Sequence, residues 1–445
     1  MSDVPLGRPW SRGVTRDRRG VLTVGGLAVD ALAEEHGTPL WVVDGDELRA
    51  RCRDYVTAFG ADRVIYAAKA WPTTAVLQIV AAEGLLVDVA SGGELHTALA
   101  AGVDPARIVL HGNNKSPDEL DRALEVGVGR IVVDAMEELD RLDGLARARG
   151  VRAPVLLRIT PGIDAHTHEY VRTGHDDAKF GFTLSLGLAD AALERTLALG
   201  ALELRGVHAH IGSQVFGTDA FVANAEVMVD VLARWRDEHG VVLGEVDLGG
   251  GMGIAYDEDD EPVDVAEVAV AVLSAVRERA AAHGLPVPAV LVEPGRAIVG
   301  PAALTLYRVG VVKDLPGLSR WVAVDGGMSD NIRPALYGAV HPAVLAGRAS
   351  DAPLGPVMLV GKHCESGDVL GTDLPLPVDV TAGDLVATAA TGAYTDAMAS
   401  NYNRLPRPAA VLVEDGHARP IVRRETLDDL LRRDVPLDDA RRPTA

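Results

Sequence analysis

Cysteine is almost absent from this 445-residue chain, which contains only Cys52 and Cys364. Two cysteines are too few for a disulfide framework. No uncharged apolar run approaches the ~18 residues that a membrane-spanning helix needs. The N-terminus carries charges without an apolar core, which is unlike a secretory signal. We therefore expect a cytoplasmic protein with no membrane partner, and loose residues over about the first 20 positions and in the tail DDARRPTA.

Positive charge is also scarce. The 43 Lys and Arg residues stand against 64 Asp and Glu residues, which gives a formal net charge of −21. This excess of negative charge disfavours binding to nucleic acid or to an anionic membrane. An anionic substrate would need a local basic site.

Lysine is rarest among the basic residues, with five copies in the whole chain. Lys69 lies at the end of VIYAAKAW, whose β-branched and aromatic composition is typical of a buried strand. A lysine at a strand end can extend its ammonium group to solvent along the aliphatic stem. It can also lose its proton and form an imine, which arginine cannot do.

Short β-branched runs alternate with amphipathic segments of helical period from residue 63 onward. Eight such units between about residues 63 and 302 predict a parallel (β/α)8 barrel of the TIM type, with an open doubly wound sheet as the alternative. After Gly300 the runs lack long helices between them, which predicts an all-β sandwich or small barrel. The eight runs are RVIYAAK, LLVDVAS, RIVLHGN, RIVVDAM, PVLLRIT, LRGVHAHIGS, EVDLGGG and VLVEPGR.

Three domains are expected from these patterns. Residues 1–40 form a partly loose segment whose LTVGG run, with the following LWVVDG, adds strands to the β domain or leads into the barrel. Residues 41–302 form the barrel, and residues 303–445 form the β domain with substrate and dimer contacts.

Polar residues collect where the eight predicted strands end. Carboxyl ends of parallel barrel strands share one face, and catalytic groups lie on that face. A hydrophobic core does not explain why polar residues collect at the same end of eight apolar strands. This pattern favours a functional role for Lys69. The polar residues are Lys69, Asp88 with Ser91, His111 with Asn113, Asp134, Arg158, His210 with Ser213, the glycines at 249–251, and Glu293 with Arg296.

Four motifs each allow a structural and a functional interpretation. GGGMG at 249–253 is a tight turn or a phosphate site built from backbone amides, and it lacks the dinucleotide pattern G-x-G-x-x-G. VEPGR at 292–296 is an ion pair, or it binds a cationic ring nitrogen and an anion. CESGD at 364–368 contains a small buried hydrophobe or a proton donor. HAH at 208–210, with HTHE at 166–169 and His175, would suit a metal hydrolase, although HTHE is typical of a loop.

Together these residues satisfy the chemistry of pyridoxal 5′-phosphate (PLP), which needs an imine-forming lysine, a carboxylate for the pyridine nitrogen, and glycine amides with a serine for the phosphate. The sequence resembles, along nearly its whole length, the diaminopimelate decarboxylases, which have an alanine-racemase-like barrel and a C-terminal β domain. The matching stretches are YAAKA, DVASGGEL, HGNNKS, HTHEYVRTGHDDAKFGF, GVHAHIGSQ, VDLGGG, VEPGRA, DGGMSDNIRPALYGA, GKHCESGD and GAY. TDAMASNYNRLPRP departs from the family pattern at Asp396, which puts the pocket wall near Tyr394 in doubt.

The resemblance implies a role for each matching residue. Lys69 would be the Schiff-base lysine, and Cys364 the proton donor. His210 would stack on the cofactor ring, Glu293 would hold the pyridine nitrogen, and Arg158 would face the phenolic oxygen. Further cofactor contacts would come from Asp88, Ser213, Gly250, Gly251, Pro294, Gly295, Arg296 and Tyr394. Substrate contacts would come from Arg296, Arg333, Tyr337, Glu365 and Tyr394. No metal is implied, and the family resemblance implies a head-to-tail homodimer with shared sites.

The implied reaction is the decarboxylation of meso-2,6-diaminopimelate to L-lysine and CO2, the last step of lysine biosynthesis. Alanine racemases have an arginine in place of Glu293, so this residue favours decarboxylation over racemisation. Arg333 and Tyr337 suit a distal carboxylate, which lysine and ornithine lack as substrates. Three alternatives stay open: a sister decarboxylase for another basic amino acid, such as carboxynorspermidine or a specialised-metabolite precursor; a non-catalytic relative, which should have lost Lys69 or Cys364; and a metal hydrolase.

Overall fold

The computed structural model of the chain describes residues 4–163 and 179–437. Its barrel contains eight parallel strands, and each of the eight predicted runs supplies one of them. A ninth, two-residue strand, Phe182–Thr183, pairs with the fifth of them. The barrel strands are Ile65–Ala67, Leu86–Val89, Ile108–Leu110, Arg130–Val133, Ala153–Thr160, Leu202–His208, Glu245–Asp247 and Ala289–Leu291.

The barrel is closed by a contact between its first and last strands. Val64 and Val292 form a parallel bridge, and the Ile65 N–H donates to the Val292 carbonyl at 2.8 Å. The predicted (β/α)8 barrel is therefore confirmed, and the open doubly wound sheet is wrong. The helices of this part of the chain are Gly45–Phe59, Thr74–Ala82, Gly92–Ala100, Pro117–Val126, Met136–Arg149, Leu188–Ala198, Asp219–His239, Val265–His283 and Arg296–Val299.

Local chemistry sets the ends of these helices. At the start of Pro117–Val126, the Ser116 hydroxyl accepts from the Glu119 N–H at 3.2 Å, and the Glu119 carboxylate accepts from the Ser116 N–H at 2.9 Å. This capping box pairs two backbone donors that a helix start leaves free. Gly127, with φ 76°, ends the helix in the left-handed conformation.

Six apolar side chains from six different strands fill the barrel interior. Burying each of them stabilises the fold by roughly 1.5–3 kcal/mol, because its apolar surface is removed from water. Since side chains alternate along a strand, the residue two positions later points to the same side, one layer nearer the carboxyl end. The interior residues are Ile65, Leu86, Val109, Val132, Leu156 and Leu291. Two positions later stand Ala67, Asp88, His111, Asp134, Arg158 and Glu293. One strand period therefore builds both the apolar core and the polar layer above it.

The second large sheet has nine strands, and the predicted all-β domain after Gly300 is confirmed. The long strand Ala303–Leu315 pairs with three others and joins the two halves of this sheet. The short helix Arg333–Tyr337 lies between two strands of this sheet, and the short helix Leu427–Leu431 follows the last strand. The strands are Leu40–Asp44, Ala303–Leu315, Ser319–Val324, Ala343–Leu345, Leu354–Val360, Val369–Pro377, Leu385–Thr388, Ala409–Glu414 and His417–Val422.

The early LWVVDG run adds a strand to the β domain. Leu40–Asp44 pairs antiparallel with Ala303–Leu315 and parallel with Ala409–Glu414. The chain therefore starts the second sheet, builds the whole barrel, and then returns to complete the sheet. The exact domain boundaries stay a prediction.

The N-terminal segment is more ordered than its composition indicates. It forms a separate antiparallel sheet of four short strands, Val4–Pro5, Val14–Arg16, Leu22–Val24 and Leu27–Ala28, followed by the helix Val29–His36. Ser11 and Val14 are buried, and the Ser11 hydroxyl donates to Asp44 at 2.6 Å. The expectation of a loose start is thus wrong for the described part of this segment, because its apolar residues share a cluster with those of the β domain. The tail DDARRPTA lies outside the described residues. No described helix is long and apolar enough to cross a membrane.

Candidate active site

A cavity of about 390 Å³ opens at the carboxyl ends of the barrel strands, a size within the ~300–1,000 Å³ typical of ligand sites. Most of the predicted site residues line it. They are Lys69, His210, Ser213, Gly250, Gly251, Glu293, Pro294, Gly295, Arg296, Arg333, Tyr337 and Tyr394. Asp88 and Arg158 are buried close by, since their charges shift the pKa of Lys69.

Lys69 lies in the single turn Ala68–Ala70 that follows the first barrel strand. Its two neighbours are buried, whereas the Lys69 side chain is exposed toward the cavity. Burial lowers the pKa of Lys69, but the opposing effects of Tyr394, Asp88 and Glu293 are larger, so the pKa is raised overall. The structure therefore presents an ammonium group whose positive charge is stabilised by acidic partners.

Glu293 is held between two imidazoles. His208 Nε2 lies 3.1 Å from Glu293 Oε2, and His111 Nε2 lies 2.6 Å from Glu293 Oε1. Burial alone would raise the pKa of Glu293, but the two histidines lower it well below its usual range. Burial also lowers the pKa of His208, and that of His111 to about 4, in spite of the nearby carboxylate. Neutral imidazoles can thus donate N–H groups to a carboxylate that stays ionised.

The metal-hydrolase hypothesis has one structural counterpart in this trio. His111, His208 and Glu293 offer ligand atoms that all lie within 4.8 Å of one another. Each carboxylate oxygen already contacts an imidazole nitrogen, so a metal would have to replace these contacts. HTHE and His175, the other residues on which the hypothesis rested, lie outside the described residues.

His210 follows His208 by two positions, just after the strand Leu202–His208 ends. The Gly250 N–H donates to His210 Nδ1 at 3.2 Å, which requires this nitrogen to be unprotonated. Burial, then the charge of Lys69, lower the pKa of His210 well below its usual range. The contact and the pKa agree on a neutral ring, which is suited to stacking against a flat ligand.

The glycines at 249–251 allow the backbone to pass very close to its neighbours. A Cβ at Gly250 would lie 2.1 Å from the Glu293 carbonyl oxygen. Gly251 has φ 118°, and its Cβ would lie 2.3 Å from the Gly212 carbonyl oxygen. No other residue fits at either position. The cavity wall here is therefore bare backbone, as an approaching phosphate requires.

Two buried guanidiniums give the cavity its positive charge. Arg296 Nη1 donates to the Tyr256 hydroxyl at 2.6 Å, and Arg296 Nη2 donates to Ser213 Oγ at 3.1 Å. The Arg333 guanidinium lies 5.3 Å from the Tyr256 ring centroid, and burial lowers the pKa of Arg333. Within the described residues, no carboxylate forms an ion pair with Arg296 or Arg333. Two such cations without anionic partners indicate a site for anionic ligand groups.

Sequence reasoning missed Tyr256, which contacts both guanidiniums and which no local signal marks. It placed His111 at a strand end and His208 in the HAH motif, but it did not predict that both histidines contact Glu293. Asp396, where the sequence departs from the family pattern, begins the turn Asp396–Met398, and Met398 lines the cavity.

Cys364 and Glu365 do not join the others in the same chain. Both residues are exposed, and neither is among those that line the cavity. Their loop follows the strand Leu354–Val360 of the β domain. The geometry of one chain thus assembles every predicted site residue except the predicted proton donor and its neighbour.

The donor groups of the cavity fit PLP. A lysine amine is available for the aldehyde, an ionised carboxylate for the ring nitrogen, and a neutral imidazole for the ring face. Bare glycine backbone, Ser213 and Tyr394 are available for the phosphate. The fit rests on the donor chemistry, and the cavity is large enough for a substrate beside the cofactor.

Comparisons with known proteins agree with this fit. Residues 45–300 match the model of the pyridoxal-dependent decarboxylase family, pyridoxal binding domain. The diaminopimelate decarboxylase of Mycobacterium tuberculosis is 49% identical over 435 residues, which cover 96% of this chain and 97% of the relative. The corresponding Bacillus subtilis enzyme is 48% identical over 425 residues, which cover 95% and 97%.

Solved structures extend the similarity to the whole fold. The diaminopimelate decarboxylase of M. jannaschii in complex with L-lysine superposes with a TM-score of 0.90 at 32% identity, covering 96% of this chain and 98% of that one. The lysine/ornithine decarboxylase of Vibrio vulnificus with cadaverine reaches a TM-score of 0.74 at 24% identity, over 87% and 98%, and shares the fold.

Proposed function

This chain belongs to the diaminopimelate decarboxylases within the pyridoxal-dependent decarboxylase family, and on that premise we propose that it converts meso-2,6-diaminopimelate to L-lysine and CO2. The observation that carries the substrate assignment is the pair of buried guanidiniums, Arg296 and Arg333, which lack carboxylate partners among the described residues. A cavity with this charge favours a substrate with more than one carboxylate.

PLP, when bound, supplies an aldehyde for the amine and a ring that accepts the electron pair of a breaking bond. Lys69 would hold it covalently, and His210 would cover one ring face. Ser213, Gly250, Gly251 and Tyr394 would hold its phosphate. Asp88 and Arg158 would complete the surroundings of the ring.

Glu293 would control how strongly the cofactor ring withdraws electrons. Its carboxylate stays ionised between His111 and His208, so it can keep a proton on a neighbouring ring nitrogen. A protonated ring withdraws electrons better than a neutral one, which favours the loss of CO2. The two histidines orient the carboxylate and do not touch the substrate themselves.

Arg333 and Tyr337 would bind the carboxylate at the far end of the substrate. A buried charged group that loses its partner costs several kcal/mol, so a site built for a distal carboxylate rejects molecules that lack it. This argues against the alternative of a sister decarboxylase acting on a basic amino acid with only an amine at that end.

A substrate panel tests the proposed function. We expect the purified protein with PLP to release CO2 from meso-diaminopimelate and to form L-lysine in equal amount, with far slower release from L-lysine or L-ornithine. Comparable rates on ornithine or lysine would favour the sister decarboxylase.

The Arg333→Met variant is expected to weaken inhibition by L-lysine by at least ~30-fold, or about 2 kcal/mol, and to leave inhibition by cadaverine nearly unchanged. Lysine keeps the distal carboxylate of the substrate, whereas cadaverine has none. Competition assays with L-lysine and cadaverine measure the two inhibition constants in the wild type and in the variant. Equal losses for both inhibitors would show that Arg333 is structural.

The active site is proposed to form between two copies of the chain. Cys364 and Glu365 lie on an exposed loop away from the cavity of their own chain. Among the described residues that line the cavity there is no cysteine thiol. In a two-fold dimer the β domain of one protomer would cap the barrel of its partner, so that each cavity receives this loop.

Complementation tests this shared site. Lys69→Ala and Cys364→Ala are each expected to form almost no lysine, and equal mixing with subunit exchange should restore about a quarter of the wild-type rate of lysine formation. Half of the dimers are then mixed, and each mixed dimer has one intact site of two. Lys69→Ala mixed with Glu293→Gln is the matched control, since both defects lie in the barrel and no site becomes intact. Verified exchange without recovery in the first mixture would contradict the shared site.

A cytoplasmic location is proposed as well. An exposed thiol that donates protons must stay reduced, and reducing compartments keep it so. Cys364 is exposed and Cys52 is buried, with both thiols free.

A further inference from the structure

The loop that carries Cys364 and Glu365 is held from one side by a segment about 40 residues later in the chain. The Cys364 N–H donates to Asn403 Oδ1 at 2.8 Å. The Tyr402 hydroxyl donates to Glu365 Oε2 at 3.3 Å. One short segment thus contacts both proposed functional residues of the loop directly.

The base of the loop is fixed from the other side. The buried His363 ring stacks on the Tyr402 ring, with centroids 5.7 Å apart and planes at 9°. His363 Nδ1 lies 2.8 Å from Asp368 Oδ2, and the same oxygen accepts from the His363 N–H at 2.9 Å. The residues before and after the exposed tip are therefore tied to each other and to Tyr402.

The segment 401–404 has a backbone shape that few residues adopt. Asn403 has φ 51° and Arg404 has φ 57°, both in the left-handed region, which Asn tolerates better than most residues. The segment is anchored in turn, because Asn401 donates to Glu425 at 2.6 Å and Arg404 donates to Asp434 at 2.8 Å. The unusual turn aims the Asn403 amide at the loop.

We propose that Tyr402 and Asn403 are positioning residues that aim the Cys364 thiol and the Glu365 carboxylate into the partner's cavity. This inference rests on the proposed function. Asn403 fixes the backbone at Cys364 and so governs where the proton is delivered, whereas Tyr402 orients Glu365 and so governs how the substrate amine is bound. The charge of Glu365, then burial, raise the pKa of Tyr402, which keeps the phenol protonated as a donor.

Proton placement gives this role a specific chemical readout. After CO2 leaves, the electron pair must take a proton at the substrate carbon, which yields L-lysine and restores the cofactor aldehyde. If the proton goes instead to the former aldehyde carbon of the cofactor, water releases the substrate portion as an aldehyde. The nitrogen then stays on the cofactor as pyridoxamine 5′-phosphate. The ratio of the two outcomes reports the aim of the thiol, independently of the overall rate.

The test compares products in single variants of the holoenzyme. Asn403→Gly keeps the backbone conformation accessible but removes the acceptor, and it should raise the pyridoxamine 5′-phosphate formed per lysine by ~10-fold or more, because small misplacements have large effects on reacting groups. Asn403→Asp, which restores an acceptor oxygen, should return the ratio toward that of the wild type. Tyr402→Phe should raise KM for diaminopimelate more than it lowers kcat.

Asn401→Ala is the matched control, since Asn401 stabilises the same segment without touching the loop. It should lower Tm and leave the product ratio at the wild-type value. Cys364→Ala gives the ratio of pyridoxamine 5′-phosphate to lysine that is expected when the thiol is missing. If Asn403→Gly keeps the wild-type ratio while Cys364→Ala changes it, or if Asn401→Ala changes it as much as Asn403→Gly, the positioning role is wrong. A wild-type enzyme that forms no lysine from diaminopimelate would overturn the proposed function itself.

Discussion

Lys69→Ala is expected to lower the rate of CO2 release by at least ~1,000-fold, or about 4 kcal/mol of barrier. Without the amine, the cofactor would lose its covalent attachment to the chain, and no lysine would be present to displace the product from it. The wild-type protein should show visible absorbance from the covalently bound cofactor, and borohydride should fix the cofactor to the chain. In Lys69→Ala both the absorbance band and the fixation at this position should be lost.

Lys313→Ala is the control for this variant, because Lys313 is an exposed lysine on a strand of the β domain. It should keep wild-type activity and absorbance. Borohydride labelling that persists in Lys69→Ala would mean that another lysine holds the cofactor, and the assignment of Lys69 would be wrong.

The barrel could be predicted from the sequence because its signals are local. Each of the eight runs carries its own β-branched residues, and helical segments separate neighbouring runs, so no knowledge of distant contacts is needed. The polar layer could be predicted for the same reason: Asp88 and Glu293 each follow an interior leucine by two positions, and one strand face carries both. The family resemblance then supplied roles that periodicity alone leaves open.

Features that depend on distant contacts could not be fixed from the sequence. LWVVDG allowed a strand of the β domain or a lead into the barrel, because the strand Leu40–Asp44 joins a sheet whose other strands come about 260 residues later or more. Tyr256 gains its role only because the chain brings Arg296 and Arg333 to its hydroxyl and ring. The burial of the N-terminal segment likewise depends on apolar residues supplied by the β domain.

The histidine pair at Glu293 shows how a distant contact changes the chemistry of a predicted residue. A buried carboxyl group in isolation would be protonated, because burial disfavours its charged form. His111 and His208 come from two other strands and reverse this, lowering the pKa of Glu293. Asp247, fully buried in the same barrel, shows the opposite result: burial, then the charge of Glu293, raise the pKa of Asp247 well above its usual range. The pKa values of two buried carboxyl groups are thus shifted in opposite directions because their neighbours differ.

This contrast yields the last prediction. Glu293→Gln should keep PLP bound but lower turnover by at least ~100-fold, or about 3 kcal/mol, because a neutral amide cannot hold a proton on the ring nitrogen. Asp247→Asn is the matched control: burial raises the pKa of Asp247, which favours its neutral form, and the amide oxygen of Asn can still accept from the Gly249 N–H. Rates of CO2 release should therefore fall in the first variant and stay within a few-fold of the wild type in the second, with equal cofactor content after alkaline release. Near-normal turnover of Glu293→Gln with full cofactor would mean that the ring needs no carboxylate at its nitrogen, and Glu293 would keep only its structural contacts with the two histidines.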